Sequence, residues 1–461
     1  MKRLVVIGLD CLTPQWALES WLDDMPNLKA LVGRGVGARL HSTSPPITVP
    51  AWTAMLTSQD PGMLGVYGFR NRMSYEYDSL QVTNATAVKA RTVWNHLSRN
   101  RLKSLLMGIP QTYPPKPLNG IMVSGFMTPS KDVTFTYPEG VRGVLDAAAG
   151  GEYVIDVKHF RTEDKAALLE SVKKMTAARF RAFRALLRAE EFDFGMMVEM
   201  GPDRLQHGFW RFCDPTHRLY ESGNPFENVL HDYYVSLDEE IGKTREAAGE
   251  GASIMVVSDH GAKAMEGAIC INEWLQEQGY LKLKEQPEKR TRLTPDMIDW
   301  ENTRAWGEGG YYGRLFMNVE GREPQGAIPP GAYESVRREI QEGLESLGDE
   351  EGKPIGTRVF RPEDIYREVK NIAPDLIVYF GDLNWRSAGS VGIGANHLRE
   401  NDTGPDDANH QPDGVFAWDA GGAAAGSLRR EERYRIYDVA PSVLRFFGLD
   451  VPEEMIGQSI I

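Results

Sequence analysis

The sequence predicts an α/β protein built on a mostly parallel central sheet with helices on both faces. Three observations predict it. Short apolar runs rich in β-branched residues, such as LVVIGL (4–9), FDFGMMVEM (192–200) and SIMVVS (253–258), read as strands buried on both faces. Helical patterns separate these runs, the alternation that gives parallel pairing through crossover helices. The 461 residues are 41% hydrophobic and 25% charged, enough to bury a sizeable core, so residues 1–461 are expected to form one large domain with a smaller insertion.

Element by element, LVVIGL is the first strand, cut off by Asp10. MPNLKALVGRG (25–35) is a helix closing on glycine. TVPAWTAMLTS (48–58) begins a helix with Pro50 in its tolerated first turn. TVWNHLSRNRL (92–102) and KSLLMGI (103–109) read as helix then strand. Residues 162–191 have the strongest helical periodicity, with Thr162 as the expected cap, although Lys165 stands where a capping box has Glu or Gln. After FDFGMMVEM, ENVLHDYYVSLDEEIGKTREAA (227–248) is helical, SIMVVS is a strand and INEWLQEQGYL (271–281) a short helix. Residues 282–330 are richer in charge, proline and glycine, which marks an excursion from the sheet. That excursion, or TPSKDVTFTYPEGVR (128–142), is the expected place of a lid. PDLIVYF (374–380) reads as a strand and IYDVAPSVLRFFG (436–448) as the last helix.

Composition excludes several classes. A net charge of −13 gives no basic footprint for general nucleic-acid binding. The cysteines, Cys11, Cys213 and Cys270, are scattered and odd in number, so neither a disulfide framework nor a paired-cysteine metal site is expected. No stretch approaches the roughly 20 apolar residues of a membrane span, and LVVIGL is too short for a signal sequence. No membrane partner is therefore expected, and the expected compartment is the cytoplasm. DCLTPQW after the first strand has no glycine-rich phosphate turn, which excludes a nicotinamide-type oxidoreductase.

The chemistry gathers at strand ends. Asp10 and Asp259 terminate two of the apolar runs and Asp203 lies just beyond a third. Ligands of open α/β sheets sit outside the carboxyl ends of the strands, so three segments would deliver carboxylates to one edge. Any one of these aspartates alone fits a turn or helix cap equally well. DRLQH (203–207) spaces Asp203 and His207 four apart, one face of a helix, and DHG (259–261) sets Asp259 beside His260. The polar loop NDTGPDDANHQPDG (401–414) carries His410; His397 in GIGANHL competes for the same role. Carboxylate and imidazole ligands suit zinc or another divalent first-row metal. Thr48 stands at an apparent helix start, where free N–H groups favour an anion; from spacing alone it is as well read as a cap.

The ordered set Asp10, Thr48, Asp203/His207, Asp259/His260 and His410 resembles the type I phosphodiesterase/nucleotide pyrophosphatase branch of the alkaline-phosphatase superfamily. PPITVPAWTAMLTSQDPG, GFRNR and ENDTGPDDANH look like its prokaryotic phosphohydrolase/phosphomutase group, and the likeness covers nearly the whole chain. It implies an alkaline-phosphatase-like fold and two divalent metal ions, zinc or alternatively manganese. Asp10, Thr48, Asp259 and His260 would hold one; Asp203, His207 and His410 the other. It implies hydrolysis of a small phosphate ester or nucleotide, with Thr48 as nucleophile and a phosphothreonine intermediate. A phosphomonoesterase or phosphomutase is the alternative, and a non-catalytic metal-binding module a third. The family's phosphoryl-steadying asparagine, counted some twenty residues after the nucleophile, falls on Phe69, so Asn71 is a candidate, flanked by Arg70 and Arg72 as phosphate contacts. TVPAW lacks the modified residue and following arginine of a sulfatase motif. Trp52, Trp210, Tyr311 and Tyr312 are aromatic candidates for stacking on a base, or packing residues.

Overall fold

The computed structural model describes residues 2–420 and 432–461. Its contacts divide into two units. The first comprises Met1–Gly68, Thr83–Ala262 and His410–Ile461; the second comprises Phe69–Val82 and Lys263–Asn409. The second therefore takes in the 282–330 excursion and extends well beyond it on both sides.

A nine-stranded sheet forms the first unit. Its order is Arg433–Arg435, Val36–His41, Asp413–Trp418, Ser253–Val257, Leu4–Leu9, Phe194–Glu199, Ser104–Ile109, Gly120–Ser124 and Thr136–Tyr137. The strands from Ser253–Val257 through Gly120–Ser124 are mutually parallel. Asp413–Trp418 enters antiparallel to both its neighbours. Thr136–Tyr137 closes one edge antiparallel, so the 128–142 segment contributes two residues to the sheet.

Alternation along Leu4–Leu9 shows how both faces are used. Val5, Ile7 and Leu9 pack with Phe180, Phe183, Tyr234 and Leu237 of the helices Lys165–Ala189 and Val229–Ala248. Leu4 and Val6 pack on the other face with Trp52, Met55, Val443 and Leu444, from the helices Thr48–Thr57 and Val439–Phe446. This period of two, with apolar partners on each side, is why the strands read as unbroken apolar runs. The helix expected over 162–191 starts later than Thr162: Asp164 is its cap, its side chain accepting from the Ala167 N–H. A carboxylate at this position also opposes the positive end of the helix dipole.

The second unit has its own core. Ala305–Glu308, Gly313–Met317, Leu376–Tyr379 and Arg358–Phe360 form an antiparallel sheet in that order. Trp274, Leu315, Ile340 and Leu376 pack there with the helices Ile271–Glu277 and Tyr333–Glu345. The strand expected in PDLIVYF is thus real but belongs to this sheet, not to the parallel set. Among the described residues no helix is long and apolar enough to cross a membrane.

Candidate metal centre

Register places the carboxylates. Leu9 pairs with Glu199 and Gly8 with Val257, so three parallel strands end level and Asp10, Asp203 and Asp259 follow at one edge. The helix Gly201–Cys213 begins directly after its strand, which sets Asp203 and His207 on one face, with Oδ1 and Nε2 3.3 Å apart. Asp413–Trp418 runs the other way, so the residues before it, including His410, come to the same edge. Val36–His41, antiparallel to Asp413–Trp418, ends there too and leads to the helix start at Thr48.

The seven side chains meet. His260 Nε2 lies 3.2 Å from Asp259 Oδ2, 3.9 Å from Asp10 Oδ1 and 3.4 Å from Thr48 Oγ1. The His260 and His410 rings stack with centroids 3.9 Å apart. His410 Nε2 is 3.2 Å from His207 Nε2 and 3.8 Å from Asp203 Oδ1. Two groups have donor atoms within 4.8 Å of one another: Asp10, Asp259 and His260, and Asp203, His260 and His410. None of the seven is more than 3% exposed, so solvent does not balance their charges. Thr48 is the first residue of its helix, and the cap position belongs to Ile47, which leaves the threonine hydroxyl to face His260.

The residues behind the cluster fix its orientation and expose its lone pairs. Trp52 Nε1 donates to Asp10 Oδ2 at 2.6 Å, and the Cys11 N–H donates to Asp259 Oδ1 at 3.2 Å. Gly8 permits the tryptophan contact, since a Cβ there would lie 2.6 Å from the indole ring. Arg204 donates through Nη1 to Asp203 Oδ2 at 2.7 Å, while its Nε and Nη2 grip Asp156. The guanidinium lies against the Phe126 and Phe160 rings. His260 Nδ1 is 3.2 Å from the Gly261 carbonyl and His410 Nδ1 is 2.8 Å from the Pro46 carbonyl. A carbonyl only accepts, so each Nδ1 carries the proton and each Nε2 presents a bare lone pair to the cluster. Asp10 Oδ1 and Asp259 Oδ2 are buried without a hydrogen-bond donor among the described residues.

Electrostatics follow from this crowding. Burial, then the charge of Asp203, pushes the Asp10 carboxyl well above its usual range; burial, then Asp10, does the same to Asp259. Burial would also raise Asp203, but His207 and Arg204 outweigh it and hold that carboxyl low. Burial lowers His260 to about 4, and burial with the neighbouring His260 and His207 lowers His410 as well. Neutral imidazoles, orphaned carboxylate oxygens and buried negative charge make a donor set that fits divalent cations.

The remaining candidates are not members of this cluster. His397 bonds the Gly348 carbonyl at 2.8 Å and sits edge-on to Trp385, in the second unit. Asn71 is half-buried, between Arg70 and Arg72 in the strand Arg70–Arg72 of the same unit. Arg72 is buried, paired with Glu323 at 3.1 Å and packed on Trp306 and Phe316 within the second unit. Trp52 packs in the core and bonds Asp10, and Trp210 stacks on Trp16 at 4.3 Å, so neither has the open face a base would need. Tyr311 bonds Asp406, and Tyr312 is buried. Arg204, Asp156 and the Trp52 N–H were not singled out from sequence. The arginine inside DRLQH was the available signal, since a cation beside a buried ligand carboxylate balances its charge.

Comparison with known proteins agrees with this architecture. A structure of phosphonoacetate hydrolase from Sinorhizobium meliloti 1021, in complex with phosphonoformate, superposes with a TM-score of 0.63 at 17% identity, over 97% of this chain and 94% of that one. Human ectonucleotide pyrophosphatase / phosphodiesterase 5 gives 0.56 at 12% identity, over 98% and 96%. The murine counterpart, an inactive variant in complex with AMP, gives 0.56 at 10% identity, over 98% and 96%. At these identities the likeness shows the fold, and it is the alkaline-phosphatase-like α/β fold expected from the sequence. No curated protein matches the sequence. The model of the family described as type I phosphodiesterase / nucleotide pyrophosphatase matches residues 4–406, and the chain belongs to that family.

Proposed function

We propose that the protein hydrolyses phosphoric esters, with a phosphodiester or nucleotide pyrophosphate as substrate, using two divalent cations and Thr48. Asp10, Thr48, Asp259 and His260 would hold one cation, and Asp203, His207 and His410 the other. Zinc suits the mixed carboxylate and imidazole donors, with manganese as the alternative. One observation carries this reading: Asp10 Oδ1 and Asp259 Oδ2 are buried without donors among the described residues, within 4.8 Å of a bare imidazole nitrogen. An unpaired carboxylate oxygen in such a place costs several kcal/mol unless a cation meets it.

Bound cations would supply Lewis acidity, favouring the threonine alkoxide and the charge that develops on the leaving oxygen. The chain's own groups do the rest. Thr48 Oγ1 attacks phosphorus as the bond to the leaving alcohol or phosphate breaks, giving phosphothreonine and the first product. Water then cleaves the phosphothreonine, regenerating the hydroxyl and releasing inorganic phosphate or a phosphomonoester. Two in-line displacements retain configuration at phosphorus. Trp52 and Arg204 each occupy one oxygen of a ligand carboxylate and leave the other turned to the cluster. The Gly261 and Pro46 carbonyls hold two imidazoles in the productive tautomer.

The test is a panel of a bis-ester, a monoester, a nucleotide pyrophosphate and phosphonoacetate on metal-loaded protein, beside Thr48→Ala. Hydrolysis of the bis-ester or pyrophosphate, lost in Thr48→Ala with metal content kept, supports the proposal. Preference for the monoester would move the reading to the phosphomonoesterase or mutase alternative. Undiminished turnover by Thr48→Ala would remove the nucleophile from it.

A further inference from the structure

We propose that the second unit carries a binding site of its own, for a small organic oxyanion, in a cavity walled by Arg70, Arg292 and Trp306. The cavity measures about 420 Å³, within the span of small-molecule pockets. Every residue lining it belongs to the second unit.

The argument rests on which polar groups of the wall the protein itself uses. Arg386 is taken: it donates to Thr403 Oγ1 at 3.2 Å and faces Asp402 and Asp406, each at 3.9 Å. Asp402 in turn accepts from Ser390 Oγ at 3.0 Å. By contrast, the guanidinium groups of Arg70 and Arg292 have no hydrogen bond or ion pair among the described residues, and the Trp306 indole N–H has no acceptor there. Glu308 is the one carboxylate on the wall without a protein partner among the described residues. Unused donors thus outnumber unused acceptors, and two of the donors are cationic forks that match phosphate or carboxylate.

Part of the wall is tightly packed. Tyr77 stacks on Trp300 with centroids 3.6 Å apart, and Trp306 meets Trp300 edge-on at 5.0 Å. The Asn272 amide donates to the Gly307 and Gly389 carbonyls, both at 2.9 Å, tying two segments of the wall together. Gly309 and Gly389 cross so closely that a Cβ on Gly309 would fall 2.5 Å from the Gly389 nitrogen, which keeps bare backbone on this side. The packed part of the wall needs little ordering on binding, while the two exposed arginine side chains would be ordered by the ligand. The matching ligand carries an oxyanion for the two arginines and the indole N–H, a hydroxyl for Glu308, and a flat or compact body for the aromatic wall.

The inference concerns binding rather than turnover, so it is tested by binding alone, and Arg292→Gln by itself separates this cavity from a catalytic contact of Arg70. AMP, inorganic phosphate, adenosine and benzoate are titrated calorimetrically into metal-loaded Thr48→Ala protein, with and without Arg70→Gln and Arg292→Gln together. Loss of both arginines is expected to weaken an AMP binding event by about 100-fold, at roughly tenfold for each charge-assisted contact. Adenosine, which has no anion, should be insensitive to them. Arginine-dependent binding of AMP or inorganic phosphate assigns a phosphate, and of benzoate a carboxylate. Arg70→Lys with Arg292→Lys should recover part of the affinity, separating a charge contact from a folding defect. Isotherms for all three anions that do not change on losing the arginines, in proteins whose melting curves superimpose, overturn the proposal.

Discussion

Removing one carboxylate from the cluster should stabilise the metal-free protein and weaken its response to metal. Asp10 and Asp259 lie in one donor group whose atoms are within 4.8 Å of one another, and each has a buried oxygen with no donor. Two full negative charges at that separation repel by about 3.5 kcal/mol at an effective dielectric of about 20. Protonation relieves part of this, because both carboxyls are raised by burial and by their charged neighbours. The sign on pH follows. A carboxyl whose pKa is higher folded than unfolded binds more protons in the native state, so stability falls as pH rises from about 3.8 through the folded value. Above that window the metal-free protein carries the full repulsion. Asp259→Asn removes it and offers an amide N–H in place of the orphaned oxygen. We expect a gain of about 3 kcal/mol, or about 5 °C in apparent melting temperature for a cooperative unit of some 300 residues. Calorimetric scans at pH 8 in chelator, then with excess zinc, test this. Wild type should melt lower in chelator and rise more with zinc, so that the order reverses. If Asp259→Asn melts at or below wild type in chelator, or responds equally to zinc, the buried pair is not a cation site.

The other expectations concern single side chains. Thr48→Ala should lower ester turnover by at least about 10³-fold while zinc content, measured by plasma emission, stays near that of wild type. Arg204→Met keeps the bulk between Phe126 and Phe160 but strands Asp203 and Asp156; chemical denaturation should show a loss of about 3–5 kcal/mol in the metal-free protein. A loss under 1 kcal/mol would mean that these carboxylates do not need their cation. Trp52→Phe deletes the 2.6 Å bond to Asp10, and zinc affinity by competition with a chelating dye should fall about 10–100-fold.

Why some of this was legible from sequence and some was not is a matter of range. The strands were readable because burial on both faces leaves an unbroken apolar run, as in LVVIGL and SIMVVS, and the aspartates stood at their ends. The extent of the second unit was not, because it joins Phe69–Val82 to residues beyond Lys263, and its strands of two to five residues, the one in PDLIVYF apart, are too short for periodicity to register. Arg72 was expected as a phosphate contact, and its ion pair was not legible because its partner, Glu323, lies 251 positions away. Arg204 was passed over for the same reason, since Asp156 approaches it from another segment.

The same consideration explains how one edge of the sheet collects every member of the cluster. The rule that ligands gather beyond the carboxyl ends of strands finds Asp10, Asp203 and Asp259 directly, since their strands run parallel and in register. His410 obeys the rule inverted. The strand that follows it, Asp413–Trp418, is antiparallel to Ser253–Val257, so it is the start of that strand that lies on the ligand edge, and the histidine, in the short strand Ala408–Gln411, comes just before it. Val36–His41 is antiparallel to Asp413–Trp418 in turn, which restores the original direction and brings the chain out at the edge just ahead of Thr48. One reversed strand therefore delivers two unlike side chains, an imidazole on its way in and, through its neighbour, a hydroxyl on the way out. Reversing that strand would cost the cluster both His410 and Thr48 while leaving its three aspartates in place.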